Sequence, residues 1–277
     1  MDSTMLSFLA APFAASLILT GIHAYLGVHV VERGVIFVDL SLAQIAVLGA
    51  TLALVLQAGE GHTPLVYWMS LGFTFIGAVV FATVRTHKSR IPQEAVIGIC
   101  YAVASAASIL AMSKAPSESE HLKDMLVGNI LAVSWEKVFQ TALLYAAIGA
   151  FHFMFRKKFL AISVNHGRAE ETGLNVRLWD FLFYASFGFV VTSSVSIAGV
   201  LLVFCYLIVP SVAAMLYSER IGTRLAIGWT MGTVVSAVGV YLSFILDFPT
   251  GATIVCTFGV ALVIMATFRP LILRAAR

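Results

Sequence analysis

The sequence predicts an all-α fold: a polytopic transmembrane helical bundle of about nine spans, forming one domain over residues 1–277 with a cytoplasmic loop at about 156–178. Three observations predict it. Apolar residues make up 60% of the chain and charged residues 11%, against about 25% charged in ordinary soluble domains. Mean hydropathy is +0.96, and the apolar residues lie in runs near the roughly 20-residue length that crosses a bilayer. The charges fall between these runs and alternate in density from one gap to the next.

The first run, 5–29, opens with "MDSTMLSFLA", which has no basic flank, and its length exceeds a signal-peptide core, so it reads as a retained span. Further runs follow at 36–57, 64–84, 94–113 and 135–155. The uncharged stretch from Phe181 to Ser218 is too long for one crossing at about 1.5 Å per residue. It is expected to turn back within "SSVSIAG" (193–199), giving spans 179–196 and 198–217. Spans 224–246 and 250–268 complete the set, joined by a turn at Asp247 with proline and glycine beside it.

Orientation follows from the basic residues. Arg33, Arg85, Lys88, Arg90, Arg156, Lys157, Lys158, Arg168, Arg177, Arg220, Arg224, Arg269, Arg274 and Arg277 fall on one side, which is 14 of the 17; Lys114, Lys123 and Lys137 fall on the other. The positive-inside rule makes the rich side cytoplasmic, with the N-terminus outside and the C-terminus inside. The outer loops hold Glu60, His62, Glu118, Glu120, His121 and Asp124, which read either as solvated polar loops or as a rim that attracts metal or docks a partner. A net charge of +3 gives no reason to expect nucleic acid. Cys100, Cys205 and Cys256 sit in apolar runs without metal or redox spacing.

The inner segment "RKKFLAISVNHGRAEETGLNVRLWD" (156–180) is the largest polar stretch. Arg168 to Thr172 favour helix, Gly173 is a natural stop and Asn175 begins a new turn. A short helix under the bundle fits, either as a linker or as an element on which a cytoplasmic partner pushes. The chain lacks the GxxxxGK[ST] phosphate loop, HExxH and GxSxG, so neither ATP binding of that kind nor an intramembrane hydrolase is expected.

One charge lies inside an apolar run. On a helix at about 100° per residue, Asp39 shares a narrow stripe with Ala43, Ala46, Ala50 and Ala53. Small residues admit a close neighbouring helix, so Asp39 is expected to face the bundle or a polar path, as intramembrane charges do. Its position about one turn from the cytoplasmic end also suits a structural acid. Gln44, the other polar group, falls roughly 140° away on an ideal helix.

Five stretches in order resemble the membrane-spanning permease subunits of ABC importers for zinc, manganese and iron. They are the segment around Asp39, "IPQEAVIGICYAVASAASILAMS" (91–113), "LVGNILAVSW" (126–135), residues 169–214, and "LSFILDFPTGATIVCTFG" (242–259) with its Asp-x-Pro-x-Gly-Ala turn. The resemblance implies a non-catalytic subunit in the inner or plasma membrane that moves a divalent metal as substrate and binds no cofactor itself. It implies as partners a cytoplasmic ABC ATPase, an extracytoplasmic metal-binding protein and a second copy of the permease. It makes Arg168, Ala169, Glu170, Glu171 and Gly173 the contact with the ATPase, and Asp39, Gln44 and Asn129 the substrate pathway. The chain departs from the family pattern at two places: Ala43 stands where a histidine commonly pairs with the aspartate, and Asn129 stands where an aspartate is common. His23 and His29 in span one are the replacement metal ligands on offer, although their spacing points them in different directions. The competing reading is an ion-gradient-driven secondary transporter with Asp39 as carrier; an inverted repeat that would favour it is not apparent.

Overall fold

The computed structural model describes residues 3–56, 64–84, 91–114, 128 and 130–275. Among these the regular structure is entirely helical. The elements are α1 (Ser3–Arg33), α2 (Val38–Leu56), α3 (Pro64–Val84), α4 (Gln93–Met112), a 3-10 turn (Ile130–Ala132), α5 (Trp135–Met154), α6 (Arg156–Val164), α7 (His166–Glu171), α8 (Val176–Met215), α9 (Ile221–Leu246) and α10 (Thr250–Ala275). Seven helices are long and apolar enough to cross a membrane, and an eighth crossing arises if α5 and α6, bent by 74° at their junction, count as one broken span. Glu60, His62, Glu118, Glu120, His121, Asp124 and Asn129 lie outside the described residues.

The long apolar run appears as a single 40-residue stretch, α8, interrupted at Gly199, where φ is 74° and ψ is 163°. That conformation is open essentially to glycine alone, so α8 is two helical pieces, and the break lies at the edge of the segment where the chain is expected to turn. The basic loop also holds more helix than expected. Besides α7 it contains α6, which buries Phe159, Ile162 and Ser163 between exposed basic residues, a face too short to stand out as periodicity.

The chain divides into two compact units. The first holds 1–31, 127–149 and 197–277. Within it, the indole of Trp229 on α9 donates to the Gly21 carbonyl on α1 at 3.0 Å. Ser236 donates to the Tyr206 hydroxyl at 3.1 Å, and the Tyr206 ring meets Phe258 edge-on with centroids 5.4 Å apart. Gly128, at φ 72°, lies so close to the Ala198–Gly199 peptide that a Cβ on it would fall 2.1 Å from the Ala198 carbonyl carbon. The expected turn after α9 is present: Asp247 takes the left-handed conformation at φ 53°, and Ser243 donates to the Phe248 carbonyl at 2.7 Å.

The second unit holds 32–126 and 150–196. Its centre is α2, packed against α3 and α4. Asp39, Ala43, Ala46, Ala50 and Ala53 are each at most 1% exposed, so the predicted small-residue stripe is an interior face. Gly49 shows how close the neighbour comes, since a Cβ there would sit 2.6 Å from the Met69 carbonyl oxygen on α3. In contrast α4 leaves Ile99, Val103, Ile109 and Leu110 exposed, an apolar face that lipid covers at no cost.

Candidate functional site

The elbow between α1 and α2 is built by three charged side chains, all in the second unit. Arg33 ends α1, and Gly34 follows in the left-handed conformation at φ 68°, the usual way for a helix to stop. The Arg33 guanidinium turns inward. Its Nε donates to Ser163 Oγ on α6 at 2.9 Å, its Nη1 pairs with Asp180 Oδ1 on α8 at 2.5 Å, and its plane lies 3.9 Å over the Phe183 ring. The Arg33 and Asp180 side chains are 0% and 1% exposed. His166, first residue of α7, brings Nε2 to 3.8 Å from the other Asp180 oxygen. From the far side, Glu94 accepts the Phe37 backbone N–H at 2.9 Å, holding the start of α2. Its neighbour Gln93 donates to the Phe81 carbonyl at 2.9 Å and the Tyr184 hydroxyl at 3.0 Å.

This clamped elbow delivers Asp39, which lies in the first turn of α2 and is fully buried. Neither carboxylate oxygen has a hydrogen-bond partner among the described residues. A carboxylate away from water is tolerable only when protonated or matched by a cation, so Asp39 needs one or the other. Gln44 is also buried, at 7% exposure, but α2 is regular through this region, so its amide leaves the helix on another side. Ala43, on the Asp39 face, is 0% exposed and supplies no ligand.

The histidines belong to the first unit. His23 is 0% exposed, and its Nδ1–H donates to the Leu19 carbonyl at 2.8 Å. That bond leaves the Nε2 lone pair available, with no hydrogen-bond partner among the described residues. His29 packs edge-on against Tyr25 with centroids 4.8 Å apart. Among the described residues, no three His, Cys, Asp or Glu side chains gather in a group able to hold a metal ion.

The polar segment after α6 folds as its capping residues dictate. Asn165 Oδ1 accepts the Arg168 N–H at 3.0 Å, capping α7. Gly173, at φ 78°, donates to the Glu170 carbonyl at 3.0 Å while Leu174 N–H reaches Ala169 at 3.3 Å. Asn175 then accepts from Leu178 N–H at 3.2 Å, starting α8. Ala169 is buried, whereas Arg168, Glu170, Glu171 and Gly173 are exposed. The short helix is thus anchored by one small residue and offers its charges outward.

The Arg33–Asp180 pair and Glu94 have no counterpart among the site residues read from sequence. The available signal was an aspartate standing immediately before the uncharged run from Phe181 to Ser218.

A sequence profile of the ABC 3 transport family matches residues 5–269. The chain is 30% identical over 211 residues to the manganese transport system membrane protein MntC of Listeria innocua, covering 74% of this chain and 75% of that protein. It is 29% identical over 183 residues to the chelated iron transport system membrane protein YfeC of Yersinia pestis, covering 66% and 62%. Among solved structures, PsaBC from Streptococcus pneumoniae in complex with Fab superposes with a TM-score of 0.78 at 22% identity, over 95% of this chain and 93% of that one.

Proposed function

The chain belongs to the ABC 3 transport family, and on that premise we propose that it is the permease subunit of an ABC importer carrying a divalent metal, manganese or iron before zinc, through the bacterial inner membrane. The order of metals rests on relatives named for manganese and chelated iron transport. Zinc also favours imidazole and thiolate ligands, and the Asp39 face of α2 carries neither. The observation that carries the reading is Asp39, a fully buried carboxylate without a hydrogen-bond partner among the described residues, in a chain matched to the family from 5 to 269.

In this reading Asp39 is a stepping point for the cation, Gln44 and Asn129 line neighbouring parts of the route, and His23 and His29 are secondary ligands. Alternating access exposes the route to each side in turn. The energy comes from a separate ATPase that presses on Arg168, Ala169, Glu170, Glu171 and Gly173; an extracytoplasmic binding protein delivers the metal, and a second permease copy completes the pore. Nine spans with the N-terminus outside fit if α8 is divided at Gly199 and α5 with α6 counts as one crossing.

The test is manganese uptake into proteoliposomes holding the permease and its cognate ATPase. Uptake is expected to require ATP and to persist when pH and potential gradients are collapsed. Asp39→Ala should lower it at least about tenfold while leaving basal ATP hydrolysis within about twofold. Uptake by the permease alone, or driven by a proton gradient, overturns the ABC reading in favour of a secondary transporter. Full transport by Asp39→Ala removes Asp39 from the route.

A further inference from the structure

The junction between α5 and α6 carries an arrangement that transport does not explain. Here α5 ends and the chain bends by 74° into α6. In the bend lies a cleft of about 390 Å³ lined by Phe153, Met154, Phe155, Arg156, Lys157 and Lys158. Phe153 and Met154 are 68% and 73% exposed, continuing an apolar face on which α5 also exposes Phe139 and Leu143. Arg156, Lys157 and Lys158 are all exposed and occupy the first turn of α6.

Charge in that position is unfavourable on its own. The N-terminal end of a helix carries partial positive charge and favours anions, yet α6 begins with three cations and no acidic residue in its first turn. Among the described residues none of the three has a carboxylate partner. Two of them instead lie over rings: the Arg156 guanidinium is 4.2 Å from the centroid of Phe153, and the Lys158 ammonium is 4.5 Å from Trp179 and 5.5 Å from Phe155. These contacts hold the cations against the membrane-side aromatic wall and leave their outward faces open. An external anion is the missing counter-charge, and the apolar residues directly beside it call for one that carries hydrocarbon.

We propose that the α5–α6 bend is a binding site for an anionic phospholipid, with its phosphate held by Arg156, Lys157 and Lys158 and its acyl chains lying along Phe153 and Met154. Basic clusters where a span leaves the bilayer attract anionic headgroups strongly, and lysine and arginine stems also cover apolar surface. The lipid would brace α6, which packs directly on α7. A soluble protein docking here would have to cover Phe153 and Met154 on a transmembrane helix, so lipid is the better fit. The inference stands apart from the identity of the transported metal.

Trp179 beside Lys158 supplies the reporter. A permease whose other tryptophans, Trp68, Trp135 and Trp229, are replaced by phenylalanine is placed in phosphatidylcholine vesicles. These contain a small fraction of phosphatidylglycerol brominated near the headgroup or, separately, equally brominated phosphatidylcholine. The expected result is preferential quenching by the anionic lipid, corresponding to at least about tenfold local enrichment and weakening as salt is raised. Lys157→Gln/Lys158→Gln, and Arg156→Gln added to them, should reduce the preference stepwise towards unity. Helicity and Tm, checked on each variant, separate site loss from misfolding, and the salt titration on the unmutated triplet tests the site without any substitution in it. Equal quenching by the two lipids overturns the proposal, as does competition by millimolar inorganic phosphate. So does retention of the preference in the triple variant, or a triple variant that loses only ATPase binding.

Discussion

Replacing Asp180 by asparagine tests whether the buried ion pair holds the α1–α2 elbow. The substitution keeps the shape and removes the charge, so Arg33 is left buried without a carboxylate, beside Ser163 at 2.9 Å and the Phe183 face at 3.9 Å. Removing one partner from a buried pair costs about 3–5 kcal/mol, because the survivor stays desolvated and uncompensated. Arg33→Met should cost a similar amount, as it takes the cation away from the buried Asp180 carboxylate. Removing both charges with Arg33→Met/Asp180→Leu is different: it lifts both desolvation penalties and forfeits the Ser163 hydrogen bond, worth roughly 1.5–3 kcal/mol for a charged donor, and the cation–π contact, worth roughly 2 kcal/mol when desolvated. The double variant is therefore expected within about 2 kcal/mol of the parent, far less than the sum of the singles. Unfolding in mixed micelles by SDS titration, followed by far-UV circular dichroism, measures all four corners of the cycle. Single substitutions costing under about 1 kcal/mol, or a double variant equal to the sum, would refute the reasoning and make the pair a solvated one.

Glycine substitutions in the first unit should separate by sign. Gly199→Ala forces a Cβ onto φ 74°, ψ 163° and should cost roughly 1–3 kcal/mol. Gly128→Ala should cost more, because its Cβ would lie 2.1 Å from the Ala198 carbonyl carbon. Gly21→Ala, with no atom within 4 Å of the added carbon, should instead stabilise by up to about 1 kcal/mol; thermal unfolding in one detergent ranks all three. Asn165→Ala removes the α7 cap and should cost about 1 kcal/mol. It should also lower the stimulation of a cognate ATPase by the permease, read as hydrolysis rate against permease concentration, with no change in helix content outside that segment.

Local features were legible because local chemistry decides them. The apolar runs had to be helices, since a bilayer offers the backbone no hydrogen bonds; most observed edges fall within a few residues of those expected, while 179–217 forms one interrupted stretch and α10 runs on to Ala275. Gly173, Asn175 and Asp247 act where they stand, as caps and turns, and each does so in the structure. The small stripe of α2 was visible for the same reason: periodicity on one helix is a sequence property. What escaped needs partners from far along the chain. Arg33 counts only as a basic residue until folding brings it to Asp180, 147 positions away. The close approach of Gly128 to the Ala198–Gly199 peptide likewise exists only once the chain has folded. For α6, three basic residues followed by six mostly apolar ones gave too short a record to separate helix from loop.

The packing around Ala43 bears on how such a site changes over generations. Its methyl group is fully buried in the second turn of α2, so a histidine introduced there arrives without room. Overfilling a tight interior typically costs about 1–3 kcal/mol, and the ring would either tilt the helix or turn away from the carboxylate. Regaining an imidazole beside Asp39 would thus require a second substitution on the facing helix first. The volumes around position 43 thus decide which side chain it accepts, and any change in its chemistry must begin with them.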